Sequence, residues 1–116
     1  MLVYQALADA FATEGVEVNF TLMGDGNMHF ATHLGEKPGA RTYLVRHEHA
    51  AVAMASAYAR ATGKPGVASV TCGPGLTQLS TALVTAAYAR IPVVVFAGES
   101  PIDKSFTANA SNRPRS

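Results

Sequence analysis

One cysteine, Cys72, is all the chain has. No intrachain disulfide can form, and the secreted class built on a disulfide framework is excluded. Positive charge is equally scarce: the formal net charge is +1, and no basic cluster precedes the C-terminus. A nucleic-acid footprint needs such a cluster, so no nucleic-acid partner is expected. Long apolar runs are missing too. The longest are interrupted at Arg90 and Pro92, which argues against a membrane span. The segment from Met1 to Asp9 has no basic leader and carries an early acid, unlike a signal peptide. A cytoplasmic protein with no membrane partner is the expectation. What is present is apolar: 48% of the 116 residues are hydrophobic and 15% charged, a balance that favours one modest packed domain over disorder.

The pattern alternates helix and strand. Leu2, Ala6, Leu7, Ala10 and Phe11 recur at helical spacing, and Gly15 stands where a helix stops. Val16 to Met23 reads as a strand ending at Gly24-Asp25-Gly26-Asn27, followed by a short helix over 27–34 and a loop over 35–39. Thr42 to Val45 is the next strand and Glu48 to Thr62 a long helix rich in alanine. Gly63-Lys64-Pro65-Gly66 punctuates before a buried-type strand over 67–72. Gly73-Pro74-Gly75 leads into a helix over 76–90, and Ile91 to Ala97 is a β-branched strand. Strands with continuous apolar character, separated by helices, specify a parallel sheet built from right-handed crossovers. The expected fold class is α/β, doubly wound, mainly parallel, with flanking helices.

Parallel strands deliver their C-terminal turns to one sheet edge, where α/β folds bind ligands. Three of these turns are polar or glycine-rich: Gly24 to Asn27, Arg46 to His49, and Cys72 to Gln78. Two familiar phosphate motifs are absent. No Gly-Lys-Ser/Thr follows Gly73-Pro74-Gly75, and the third glycine of a dinucleotide fingerprint starting at Gly24 would fall on His29. Gly73-Pro74-Gly75 does expose backbone N–H groups before a helix, although most such turns merely connect elements. Glu48 lies between the apolar run 42–45 and the alanine-rich helix. A carboxylate so placed can relay protons; an acidic residue at a helix start is also the common response to the helix dipole.

Taken together, Arg46-His47-Glu48-His49-Ala50-Ala51, Tyr58 to Lys64, Thr71-Cys72-Gly73-Pro74-Gly75-Leu76-Thr77-Gln78 and Ile91-Pro92-Val93-Val94 resemble the pyrimidine-binding domain of thiamine diphosphate-dependent enzymes. The likeness is greatest to the acetolactate synthase and 2-oxoacid decarboxylase group, over Met1 to about Asp103. The resemblance implies that Glu48 bonds a ring nitrogen of the cofactor's aminopyrimidine and favours its imino tautomer, so that the thiazolium carbon can lose its proton. It also implies that Gly24, Asp25, Gly26, Asn27, Thr71, Gly73, Pro74, Gly75 and Gln78 line the pyrimidine pocket. Where the family usually has asparagine, this chain has Gln78, a longer amide with the same donors and acceptors. His47 and His49 read as structural helix-start residues, and Cys72 as a buried strand end.

Gly24-Asp25-Gly26 looks like the opening of the motif that holds magnesium and diphosphate in the same enzymes, but no closing Asn-Asn pair follows. No metal site is expected within this chain. Magnesium and the diphosphate contacts would come from another domain or subunit, and the resemblance implies a homodimer or tetramer for the complete enzyme. Residues 1–103 are thus expected to form part of a pyrimidine-binding domain, inactive by itself, and the polar, basic 104–116 a tail outside it. The alternatives are the pyrimidine-binding subunit of a two-chain decarboxylase of the sulfopyruvate or phosphonopyruvate kind, or a non-catalytic α/β dimerisation module. The strand over 91–97 is expected to leave a sticky sheet edge.

Overall fold

The structure is a computed structural model describing residues 1–99. The boundary near Asp103 and the polar segment 104–116 lie outside the described residues. The elements run α1 (Val3–Thr13), β1 (Val18–Thr21), α2 (Met28–Gly35), β2 (Arg41–Leu44), α3 (Glu48–Thr62), β3 (Gly66–Val70), α4 (Pro74–Gln78), α5 (Ser80–Tyr88) and β4 (Val93–Ala97). The strands form one sheet in the order β2-β1-β3-β4, and every pairing is parallel. This is the α/β architecture with flanking helices that the alternating pattern predicts.

The two faces of the central strands differ in chemistry. Even-numbered residues Phe20, Ala68 and Val70 join Ala51, Val52 and Ala55 of α3, with Leu79 and Ala82, in the main apolar cluster. Each large aliphatic side chain buried there stabilises the fold by about 1.5–3 kcal/mol. Apart from Val67, the odd-numbered residues of the same strands are polar and fully enclosed: Asn19, Thr21 and Ser69 are at most 1% exposed. The α1–α2 layer covers that side, and its own apolar cluster (Ala8, Phe30, Leu34) reaches β4 through Phe96.

Helix α3 follows its expected bounds. Alanines with little side-chain entropy to lose favour the helix, and Gly63, at φ 73°, closes it in the left-handed conformation that suits glycine. Other boundaries move. The strand expected over 16–23 shrinks to Val18–Thr21, because Val16 is held back by its N–H on the Phe11 carbonyl and packs against the α1–α2 cluster. The single helix expected over 76–90 is two, α4 and α5, meeting at Leu79, which is 1% exposed. Seating Leu79 in the main cluster requires the axis to turn there. On α1 the inward stripe is Tyr4, Ala8, Phe11 and Ala12, while Leu2 and Leu7 face outward.

Candidate functional site

The strand order places a reversal between β1 and β3. The crossover from β1 runs through α2 toward β2, whereas the crossover from β3 runs through α4 and α5 toward β4. Loops at such a reversal diverge and open the crevice in which α/β sheets bind ligands. Here the loop after β1 carries Gly24 to Asn27 and the loop after β3 carries Thr71 to Gly75.

Thr71 joins them. Its Oγ1 accepts a 2.9 Å hydrogen bond from the Gly26 N–H. A Cβ at Gly24 would stand 2.8 Å from the Thr71 Cβ, one at Gly26 3.0 Å from Oγ1, and one at Gly75 3.0 Å from Cγ2. Three glycines therefore close around one threonine, and their missing side chains make the contact possible. The loop after β4 arrives at the same place: a Cβ on Gly98 would lie 1.8 Å from the Gly26 carbonyl oxygen. Gly73 is constrained by conformation instead, with φ 61° and open space around it.

Asn27 anchors the first loop from below. Its Oδ1 accepts from the Gly24 N–H at 2.8 Å, and its Nδ2 donates to Thr21 Oγ1 and the Leu22 carbonyl at 3.1 and 3.2 Å. The column continues through Ser69, which donates to Thr21 Oγ1 at 2.7 Å and accepts from Asn19 Nδ2 at 3.1 Å. Buried polar groups are tolerated when bonded in this way, and one acceptor, Asn19 Oδ1, is left over. The Asn27 side chain is thus committed to the sheet interior. The alternating polar positions 19, 21 and 69 in otherwise apolar strands were the available signal for this column.

Glu48 opens α3 at the same edge, supplied by the loop after β2. Its side chain is 13% exposed. Oε1 lies 3.9 Å from where a Gly75 Cβ would stand, so the carboxylate sits over bare glycine backbone. Oε2 is 4.0 Å from His47 Nδ1, and the carboxylate accepts no hydrogen bond from the described residues. The structure therefore gathers Glu48, Gly75, Thr71, Gly24 and Gly26 into one continuous surface, with Asn27 beneath. Asp25, Gly73, Pro74 and Gln78 are exposed around it.

A sheltered carboxylate with free lone pairs can accept from a proton-bearing nitrogen, and the glycine beside it sets no side chain against the carboxylate. Those features fit an aminopyrimidine. A hollow of about 610 Å³ lies at the other end of the strands, lined by residues such as Phe11, Val18, Tyr58 and Val67. It holds none of the predicted site residues. Among the described residues, no group of three or more His, Cys, Asp or Glu is gathered as a metal ion requires. No helix there is long and apolar enough to cross a membrane.

Comparison with known proteins gives a consistent picture. The family described as thiamine pyrophosphate enzyme, N-terminal TPP binding domain, matches residues 1–112. The acetolactate synthase large subunit of Parasynechococcus marenigrum is 43% identical over 99 residues, which is 83% of this chain and 16% of that protein. The large subunit from Haemophilus influenzae is 41% identical over 98 residues, 84% of this chain and 16% of that one. The chloroplastic acetolactate synthase of Arabidopsis thaliana is 37% identical over 95 residues, 82% and 14% respectively. The chain spans about a sixth of the length of these relatives.

Proposed function

The chain belongs to the family of thiamine pyrophosphate enzyme N-terminal TPP-binding domains, and from that premise we propose that it is the pyrimidine-binding part of an acetolactate synthase-like enzyme acting on 2-oxoacids. Thiamine diphosphate, the same compound as the pyrophosphate, supplies the carbanion chemistry when bound. The chain's own contribution is tautomer control and geometry. Glu48 is the catalytic residue: its carboxylate holds or releases a proton at the pyrimidine ring nitrogen. Gly75 presents bare backbone beside the carboxylate, and Thr71, packed against Gly24, Gly26 and Gly75, fixes the wall of the site. Asp25, Asn27, Gly73, Pro74 and Gln78 complete the pocket, Asn27 through its backbone because its side chain is used below.

The observation that carries this reading is the Glu48 carboxylate, mostly sheltered, set against glycine backbone and accepting no hydrogen bond from the described residues. A carboxylate left open in that way has a ligand to meet. A second wall from another domain or subunit would bring magnesium and the diphosphate contacts. The same feature weighs against a non-catalytic dimerisation module, which has no use for it.

Glu48→Gln in the holoenzyme that contains this domain tests the assignment. General acid–base groups contribute about 10²–10⁴-fold, so deuterium exchange at the cofactor's thiazolium carbon, followed by NMR, is expected to slow by at least ~10²-fold, with turnover falling in parallel. Exchange at the native rate would remove Glu48 from the reaction.

A further inference from the structure

His47 is the N-cap of α3, and its ring nitrogen Nδ1 accepts a 3.0 Å hydrogen bond from the His49 N–H. The same Nδ1 stands 4.0 Å from Glu48 Oε2. One nitrogen therefore faces two partners with opposite demands. The helix amide needs a lone pair on Nδ1, while the carboxylate needs a proton there. A neutral imidazole meets the first demand with its proton on Nε2; an imidazolium has N–H on both nitrogens and can meet only the second.

We infer that His47 is a proton-linked positioning residue for Glu48. With His47 neutral, Nδ1 caps α3, fixes the first turn on which Glu48 rides, and leaves the carboxylate free. Uptake of one proton from solvent at Nδ1 ends the cap. The new N–H then lies a small ring rotation from Oε2 and closes a charge-assisted bond, stronger than a neutral one. Glu48 is thereby diverted from its ligand and the helix start is loosened together. The observed 3.0 Å cap is the arrangement of the neutral ring.

The other titratable groups around the pair are few. Among the described residues, Arg46 and His49 flank it in sequence, Asp25 belongs to the loop after β1, Cys72 to the loop after β3 and Glu99 to the loop after β4; the turn 73–78 has none. His47 is half-exposed, with a side-chain accessibility of 52%, so solvent can deliver the proton. The consequence for catalysis rests on the role proposed for Glu48. The exchange of partners at Nδ1 does not.

The test is NMR on the chain itself, following the Glu48 carboxyl carbon and the His47 ring nitrogens from neutral to acid pH. The native chain is expected to show Nδ1 unprotonated at neutral pH. The Glu48 carbon should move in two steps, the first coinciding with titration of the His47 ring. His47→Asn keeps a capping acceptor, since asparagine is among the best N-caps, and is expected to retain α3 while losing the first step. A proton on Nδ1 at neutral pH, or a single Glu48 step in the native chain, would overturn the inference. So would a first step that survives His47→Asn, because it would then belong to Asp25, His49, Cys72 or Glu99. None of these results touches the Glu48→Gln exchange experiment, so the two readings fail separately.

Discussion

At the residue scale, the glycines of the site do different physical work, and substitution separates them. Gly98 is held by contact: an added Cβ would meet the Gly26 carbonyl oxygen at 1.8 Å. That neighbour is backbone, so the two loops must part. Gly98→Ala is expected to cost about 3 kcal/mol, the upper end of overpacking losses, and to free the loop that carries Gly24 to Asn27. Gly15 has φ 86° and nothing within 4 Å of its missing Cβ. Gly15→Ala should cost only the strain of a left-handed alanine, about 1–2 kcal/mol. Urea midpoints of the two variants check the order; equal losses would mean that contact at Gly98 is relieved cheaply. This distinction was not legible in the sequence, where a glycine looks the same whether it needs space or an angle. Glu48, by contrast, was legible as a carboxylate at a strand-to-helix junction. His47 was not legible as a cap, because histidine is not a favoured capping residue and its role depends on one ring nitrogen.

At the element scale, α1 is tied to α2 by a small charged cluster. Asp9 pairs with Lys37, which lies just past α2, and with His33 Nε2 at 3.1 Å. The hydrogen bond from Lys37, then that from His33, holds the Asp9 carboxyl below its ordinary value of 3.8. The sign follows: the folded state binds its proton less readily than the unfolded chain does. The cluster's contribution is therefore complete above pH 3.8 and is lost as the pH falls through the lower folded value. Asp9→Asn should flatten the acid limb of the stability–pH curve; an unchanged limb would mean that the cluster is fully screened. The break at Leu79 belongs to this scale as well. Periodicity alone continues from Leu76 to Arg90, and Leu79 itself keeps right-handed helical angles, φ −88° and ψ −7°. A turn of the axis that leaves the dihedrals helical leaves no mark in the pattern. The long helix α3 was read correctly because its start, composition and closing glycine agree.

At the scale of the whole molecule, the layers are joined by aromatic contacts across the sheet. Phe30 of α2 stacks on Phe96 of β4 with centroids 3.9 Å apart and meets Phe11 of α1 edge-on at 5.3 Å. One ring thus links both helices of its layer to the outer strand. Phe30→Ala is expected to cost about 3–5 kcal/mol and to loosen β4 along with α1, seen as faster amide exchange in both elements. Exchange confined to α2 would show that the ring is only local packing. Fold class and strand sequence were legible because parallel sheets demand apolar strands between helices. The spatial order was not, since the positions of β2 and β3 on either side of β1 are set by the direction of two crossovers.

That order also determines how the chain can fold. No strand pairs with a neighbour across a tight turn. Val18 pairs with Arg41, Phe20 with Ala68 and Gly66 with Val93, so every ladder closes a loop of more than twenty residues. A hairpin cannot serve as the starting point, and β1 waits for β3 until nearly seventy residues of chain have emerged. The helices are the local structures available early, and the edge that carries Glu48 and Thr71 requires the non-local pairing of β1 with β3. Refolding followed by stopped-flow fluorescence of the tyrosines should accordingly be slower than for a helical bundle of this size, on the order of milliseconds to seconds.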